Sequence, residues 1–156
     1  MDIVDCILAD HDRQRRWFAA LDEARDDLES AGKIFNRLRD HLEAHAMAEE
    51  KYFYPTLLEL GKGALDSDSA DETTEDAIDD HNKIANAADA ALNEEVGSDA
   101  WWKCVDKANY QNSAHLSEEE RQGLTDFRRR VPLEKRIALG LKYLAYEADH
   151  VTNVER

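Results

Sequence analysis

Apolar residues recur at steps of three and four along most of the chain, and this spacing predicts amphipathic α-helices. Four long helices are predicted over about 2–28, 33–60, 73–95 and 98–122, joined by short turns. A fifth covers about 131–149 and has a proline in its first turn. The pattern predicts an all-α fold: an antiparallel up-down four-helix bundle with an additional C-terminal helix, packed on its outside or across one end.

Local signals predict where these helices begin and end. The sequence ESAGK at 29–33 predicts the first turn, and the segment 61–74, rich in Gly, Ser and Asp, predicts a linker. Thr73 resembles the start of a capping box, and Ser98 is the predicted N-cap of the fourth helix. Pro55 lies inside the second helix and predicts a kink or break two residues earlier.

Periodicity alone assigns the inward faces of the third and fifth helices. The third helix is expected to bury Ile78, His81, Ile84, Ala88 and Leu92. The fifth is expected to bury Ile137, Leu141, Leu144 and Ala148. Both assignments follow the same three- and four-residue steps.

Polar residues interrupt the inward face of each of the four long helices. The six positions that stand in register are His11, His45, Glu49, His81, His115 and Glu119. Both glutamates follow a histidine by four residues, so each HxxxE pair lies on one helix face. His41 shares the stripe of the second helix, but it lies eight residues from Glu49, about 12 Å along the axis. It is therefore either a further ligand or a residue beside the site.

Two carboxylates in a dry core are costly unless they are paired or bound to a metal ion. The nearby Arg and Lys residues fall on the solvent faces of these helices, so a metal centre explains the stripe best. No thiolate lies in register, which excludes a structural zinc site of the cysteine type. Imidazole and carboxylate suit iron, and less selectively manganese or zinc. Two carboxylates from opposite helices can bridge two ions, so we expect a di-iron site.

The order H…HxxxE…H…HxxxE on successive helices resembles the hemerythrin-like, or HHE cation-binding, family. HAMAEEKYFYP in the second helix is similar to the family's motif of His, three residues, Glu-Glu, aromatic residues and Pro. ADHDRQRRWF, AIDDHNKI and SAHLSEEE resemble the segments of the other three helices, and the resemblance covers about 1–125. It implies a four-helix bundle around two iron ions joined by oxo and carboxylate bridges. His11 and His45 would bind one iron, His81 and His115 the other, and Glu49 and Glu119 would bridge them.

The third helix departs from the pattern of the oxygen-carrying members of that family, whose third helix carries an HxxxH motif. The positions four residues either side of His81 are Ala77 and Ala85, so one iron is left more open or takes water, a carboxylate or a tyrosine. Tyr54 and Tyr110 are the tyrosines considered. The departure favours redox chemistry with peroxide over reversible carriage of oxygen.

Charge and cysteine content narrow the expected partners and compartment. The net charge of -15 disfavours nucleic acid and anionic membranes as partners. Two isolated cysteines, Cys6 and Cys104, favour free thiols in a reducing compartment. The acidic start does not read as a signal peptide, so we expect one cytoplasmic domain over 1–156.

Three hypotheses about function follow. The first is a non-heme di-iron protein that reacts with or senses dioxygen, peroxide or nitric oxide, with peroxide decomposition as its conceivable enzyme activity. The second is a non-catalytic protein that binds oxygen or binds and stores iron. The third is a metal-free helical interaction module. The pattern assigns no catalytic residue and no oligomeric state.

Overall fold

The computed structural model of the chain describes residues 1–64 and 68–155, with side chains as far as His150. Helices make up nearly all of these residues, and no strand occurs among them. In order they are α1 (Ile3–Glu23), α2 (Leu28–Tyr52), α3 (Tyr54–Leu60), α4 (Ala70–Ala90), α5 (Asp99–Arg121), α6 (Gly123–Arg130) and α7 (Leu133–Glu155). A 3-10 turn at Ala91–Asn93 follows α4. The predicted all-α class is confirmed.

The long helices α1, α2, α4 and α5 form the bundle, and each packs against the next around a closed square. Two short helices extend it: α3 continues α2 beyond Phe53, and α6 continues α5 beyond Gln122. The break at Phe53 was expected, since Pro55 occupies the first turn of α3, where its missing N–H costs no hydrogen bond. The break before α6 has no counterpart in the predictions, which ended the fourth helix at this point.

Two predicted helix boundaries are wrong because stronger N-caps lie nearby. The carboxylate of Asp27 accepts the backbone N–H of Ser30 at 3.1 Å and its hydroxyl at 2.6 Å. α1 therefore ends at Glu23, and 29–33 forms the first turn of α2 rather than a loop. Ser69, not Thr73, caps α4 by accepting from the N–H of Glu72. Ser98 caps α5 as predicted, accepting from Trp101 at 3.1 Å.

Two hydrophobic clusters fill the bundle, one towards each end. One is built mainly from α1, α2, α4 and α5, with large side chains Phe18, Phe35, Leu38, Trp101 and Val105. The other lies around α3, α6 and α7, with large side chains Ile3, Ile7, Phe53, Leu57, Phe127 and Tyr143. The predicted polar stripe lies in the layer between them, so hydrophobic packing closes it off from both ends of the bundle.

α7 packs outside the bundle against α1 and α2, one of the two expected placements. Its predicted inward face is wrong, because Ile137, Leu141, Leu144 and Ala148 are exposed and Tyr143 and Gly140 are buried instead. Gly140 decides this orientation: a Cβ there would lie 2.1 Å from the backbone oxygen of Met1, so only glycine allows the contact. Arg136 supports it with an ion pair to Asp2 at 2.8 Å.

Other expectations have mixed outcomes. In α4, Ile78 is 38 % exposed, and the predicted inward Leu92 lies beyond the helix and is 55 % exposed, so both were assigned wrongly. Cys6 and Cys104 are free thiols, as expected. Within the described ranges, no helix combines the length and apolar character needed to cross a membrane.

Candidate metal centre

The bundle brings all six residues of the predicted stripe together in the layer between the hydrophobic clusters. α1 and α4 supply one histidine each, and α2 and α5 supply one HxxxE pair each. All six side chains are buried, and those of His11 and Glu49 have no exposed surface. Because residues four apart stack on one helix face, each glutamate lies directly below its own histidine.

One half of the site contains His11 and His45. Nε2 of His45 lies 2.8 Å from Oε1 of Glu49, and Nε2 of His11 lies 3.0 Å from Oε1 of Glu119. The same His11 nitrogen lies 3.9 Å from Oε1 of Glu49. The four side chains offer four ligand atoms within 4.8 Å of one another, a spacing that one metal ion can gather.

The other half contains His81 and His115 and uses the same two glutamates. Nε2 of His81 lies 3.1 Å from Oε2 of Glu49, and Nε2 of His115 lies 3.5 Å from Oε2 of Glu119. The two imidazole nitrogens are 3.1 Å apart. Each glutamate thus presents Oε1 to one histidine pair and Oε2 to the other, which is the arrangement of two bridging carboxylates.

A second carboxylate lies at the outer nitrogen, Nδ1, of every one of these histidines. The distances are 3.4 Å for His11 and Glu120, 3.1 Å for His45 and Asp10, 3.5 Å for His81 and Glu50, and 3.2 Å for His115 and Asp80. At His11, His45 and His115 these contacts are hydrogen bonds, which fix the ring orientation and leave Nε2 to bind a metal. Nδ1 of His81 makes no aligned hydrogen bond with the described residues, so Glu50 acts on that ring through its charge. We call these four residues the outer carboxylates.

The outer carboxylates follow a rule visible in the sequence. Each is the chain neighbour of an inner residue: Asp10 precedes His11, Glu50 follows Glu49, Asp80 precedes His81 and Glu120 follows Glu119. Neighbouring residues point about 100° apart around a helix, so each acid faces the adjacent helix and its histidine. The helical patterns did not predict this role for any of the four. An acidic residue next to one inner position on each of the four helices was the available signal.

Tyrosine fills the space beside Ala77, one of the two positions where the third helix lacks a histidine. Tyr54 is buried, and its hydroxyl donates to Oε2 of Glu119. A cavity of only about 10 Å³ remains there. Tyr110 is 78 % exposed on α5, so it takes no part in the site.

The space beside Ala85, the other such position, remains open. A cavity of about 220 Å³ between α2 and α4 reaches Ala85, His81, His115 and His45. Apolar side chains form much of its wall, including Leu42, Ala46, Ile84 and Ala88. This cavity connects the outside of the bundle with the histidines of the centre.

His41 lies beside the centre rather than in it. Its ring stacks on that of His45 with centroids 6.1 Å apart, and its Nε2 lies 3.3 Å from the amide nitrogen of Gln14. It does not belong to either set of ligand atoms that includes Glu49 and Glu119. One of its ring nitrogens lies instead within 4.8 Å of carboxylate oxygens of Asp10 and Glu147.

Charges in the site depend strongly on one another. Burial disfavours imidazolium at His11, but the nearby carboxylates of Glu119 and Glu49 outweigh this effect and raise the pKa of His11 to about 9. Burial likewise opposes charge at His81, yet Glu49 and Glu50 raise that pKa to about 9. Burial also opposes ionisation of Glu49, and the surrounding histidines nevertheless hold its pKa well below the usual value. In the metal-free protein, the raised pKa values of His11, His45 and His81 keep protons on these imidazoles, which supply the positive charge that the buried carboxylates require.

Several buried polar atoms of the site lack a hydrogen-bond partner that a bound cation would supply. Nε2 of His45 and both carboxylate oxygens of Glu49 are buried and make no aligned hydrogen bond with the described part of the chain. Within the same residues, no Arg or Lys forms an ion pair with Glu49 or Glu119. Four imidazoles and two carboxylates are a ligand set that suits iron, manganese or zinc.

Fold and site together define a helical-bundle protein of the metal-binding class. The family model described as hemerythrin HHE cation binding domain matches residues 2–127, and the chain belongs to that family. The resemblance drawn from the four histidine segments is thereby confirmed. Comparison with curated proteins and with solved structures found no match.

Proposed function

We propose that the chain is a non-heme di-iron protein that reacts with or senses dioxygen, peroxide or nitric oxide. The observation that carries the proposal is that each buried glutamate divides its oxygens between the two halves of the site. Oε1 of Glu49 lies at His45 and its Oε2 at His81, and Oε1 of Glu119 lies at His11 and its Oε2 at His115. Two ions would each take two imidazoles and share both carboxylates. Iron is the metal whose redox chemistry such a nitrogen and oxygen ligand set supports.

Bound iron would supply electron transfer to an oxygen species, and the chain's own residues prepare the site for it. Three of the outer carboxylates, Glu120, Asp10 and Asp80, hold their imidazoles by hydrogen bonds with Nε2 directed at the centre. The hydroxyl of Tyr54 donates to Glu119 and fixes that carboxylate. The hydrophobic clusters exclude water from both ends of the layer, so the cavity beside Ala85 is the route we propose for the small molecule.

Among reactions with dioxygen, peroxide and nitric oxide, peroxide decomposition is the activity that this site favours. The third helix supplies one imidazole, and the cavity opens beside the position that a second one would occupy. An ion with fewer protein ligands exchanges water for substrate more readily. A non-catalytic oxygen-binding or iron-storing protein would use the same ligands and is the alternative.

Metal content and peroxide consumption test the proposal. After iron-replete expression, we expect two iron ions per chain, a near-ultraviolet band from an oxo-bridged ferric pair, and consumption of hydrogen peroxide. Glu49→Ala should lose the iron and the activity, whereas Glu75→Ala on the exposed face of α4 should retain both. Less than about one iron per chain in the wild type would refute the di-iron site.

Rapid mixing of the reduced protein with dioxygen separates the two candidate functions. Irreversible oxidation favours redox chemistry, and a stable adduct that is lost under vacuum favours binding. A melting temperature that does not respond to chelation would support a metal-free interaction module instead. The free thiols of Cys6 and Cys104 suit a reducing compartment, and on that ground we propose a cytoplasmic location.

A further inference from the structure

The cavity that reaches the centre is larger than dioxygen, nitric oxide or hydrogen peroxide requires. It occupies about 220 Å³ between α2 and α4, and its wall extends along α2 from Arg39 to Glu50, about 16 Å of helix. A site for one water molecule needs only about 10–15 Å³, and a dry apolar cavity of about 150 Å³ holds a benzene ring. A molecule with a single pair of heavy atoms would therefore leave most of this volume empty.

The wall of the cavity changes from polar to apolar with distance from the centre. The imidazoles of His45, His81 and His115 line the part nearest the centre. About 9 Å further along α2, Arg39 pairs with Asp89 of α4 at 2.9 Å. Apolar side chains of both helices form much of the remaining wall: Leu42, Ala46, Met47, Ile84, Ala85 and Ala88. A molecule that fills the cavity therefore places a hydrocarbon body along this wall and a polar group at the histidines.

The charges on the wall favour a neutral ligand over an anionic one. Among the described residues of the wall, Arg39 is the one arginine and no lysine occurs. Its guanidinium already pairs with Asp89 and lies 4.0 Å from Asp40. Glu43 and Glu50 are acidic and line the same cavity. Because the chain also carries a net charge of -15, a carboxylate or phosphate ligand is disfavoured here.

We propose that this cavity binds the hydrocarbon body of a neutral organic molecule of about six to nine carbon atoms, scaled from one benzene ring in about 150 Å³. The identity of that molecule rests on the proposed function: a site that decomposes peroxide takes an organic hydroperoxide, R–OOH, in this position. Hydrogen peroxide is its reductant. The O–O bond of R–OOH breaks and takes up two electrons and two protons to give R–OH and water. Hydrogen peroxide gives up those two electrons and two protons and leaves as dioxygen.

Binding of straight-chain alcohols to the metal-free, full-length protein tests the cavity without any reaction. The probes are 1-butanol, 1-pentanol, 1-hexanol and 1-heptanol, and calorimetry measures their dissociation constants. Burying one CH₂ group contributes about 0.8 kcal/mol, so affinity should rise about fourfold with each added CH₂. Equal affinities for all four alcohols would refute the hydrocarbon site.

Filling the cavity should remove this dependence on chain length. Ala85 lies at an exposed position of α4, so Ala85→Leu adds bulk to the cavity wall without disturbing the core. Ala46→Leu adds the same bulk from α2 and is the second variant. Ala19→Leu, at an exposed position of α1, is the matched control and should bind the alcohols as the wild type does. A fourfold rise that both cavity variants retain would place the alcohols elsewhere and refute the inference. Circular dichroism of each variant confirms that the bundle has folded.

The iron-loaded protein supplies a second readout. Formation of cumyl alcohol from cumene hydroperoxide, with hydrogen peroxide as the reductant, is compared with decomposition of hydrogen peroxide alone. Ala85→Leu should lower kcat/KM for cumene hydroperoxide at least tenfold more than kcat/KM for hydrogen peroxide, because only the larger substrate needs the filled space. Equal losses for the two substrates would show that the cavity does not hold the hydrocarbon body during the reaction.

The outcomes separate this inference from the proposed function. If iron binds and hydrogen peroxide is consumed while the alcohols do not bind the wild type, the inference fails and the proposed function stands. If the alcohols bind, Ala85→Leu removes their binding and no iron binds, the proposed function fails together with the assignment of a hydroperoxide. The hydrocarbon site itself stands in that case.

Discussion

Replacing the buried carboxylate of Glu49 by its neutral isostere tests the charge balance of the centre directly. Glu49 has no exposed surface, and its oxygens lie 2.8 Å from Nε2 of His45 and 3.1 Å from Nε2 of His81. His11 is the third neighbour, at 3.9 Å. In the metal-free protein these imidazoles carry protons that the carboxylate stabilises, so Glu49→Gln should destabilise the fold.

The magnitude depends on pH, and its direction follows from the raised pKa values. A rise from 6.5 to about 9, as at His11 and His81, corresponds to about 3 kcal/mol for each group. Because folding raises these pKa values, the stabilisation is fully present below pH 6.5 and is lost as the pH passes about 9. Glu49 shares it with Glu119 and Glu50, and breaking a buried ion pair costs about 3–5 kcal/mol. We expect Glu49→Gln to cost about 2–4 kcal/mol at pH 6.5, and at least about 2 kcal/mol less near pH 10.

Urea denaturation of the chelated proteins, followed by circular dichroism at both pH values, measures this difference. Glu43→Gln is the matched control, since it removes the same charge from an exposed position of α2 and should change stability by less than about 0.5 kcal/mol. A cost for Glu49→Gln that is the same at both pH values would show that the imidazoles are not the source of its stabilisation.

Three further results are expected. Gly140→Ala should lower the free energy of unfolding, measured by urea denaturation, by about 1–3 kcal/mol, because the new Cβ would lie 2.1 Å from the backbone oxygen of Met1. Gly32→Ala is the contrasting change: its Cβ would lie 3.4 Å from Val96, so it should raise the free energy of unfolding by about 0.5–1 kcal/mol. Asp80→Asn should weaken metal binding about 10–100-fold in competition with a chelator, because it removes the partner of His115 Nδ1, and the exposed neighbour Asp79→Asn should not. Free metal at about 100 times its dissociation constant should stabilise the protein by about 2.7 kcal/mol per site, seen as a higher melting temperature that chelation reverses.

Sequence patterns predicted the bundle and the inner residues well because helical spacing determines both. Steps of three and four residues from Trp101 reach Val105, Ala108, Asn112, His115 and Glu119 in α5, and all six side chains are buried. The HxxxE spacing needs no tertiary information, since it places both side chains on one face of any regular helix. The separation of His41 from Glu49 likewise followed from helical rise alone.

The inward face of α7 was predicted wrongly because two different faces of this helix carry apolar residues at helical spacing. α7 has one apolar row through Ile137, Leu141 and Leu144 and another through Leu139 and Tyr143, and periodicity cannot rank them. Contact with Met1 determines which row faces inward, because only the face of α7 that carries Gly140 can approach the first residues of the chain. That contact joins positions far apart in the chain, so no local pattern contains it.

The outer carboxylates were missed for a related reason. Each one serves a histidine on a different helix, and the partner can be named only when the order of helices around the bundle is known. The acids of α1, α2, α4 and α5 serve the histidines of α2, α4, α5 and α1 respectively. Their sequence positions were visible, but their targets required the fold.

This closed circuit of carboxylates has a consequence for how the chain selects its native arrangement. If any one helix were rotated about its axis by one residue, about 100°, its own histidine would no longer point at the centre. Its outer carboxylate would also lose contact with the histidine of the next helix. Two contacts fail for every error, and exchanging two helices would break the order altogether. The site therefore acts as a lock on helix register, a means by which buried polar groups favour one topology over its near equivalents.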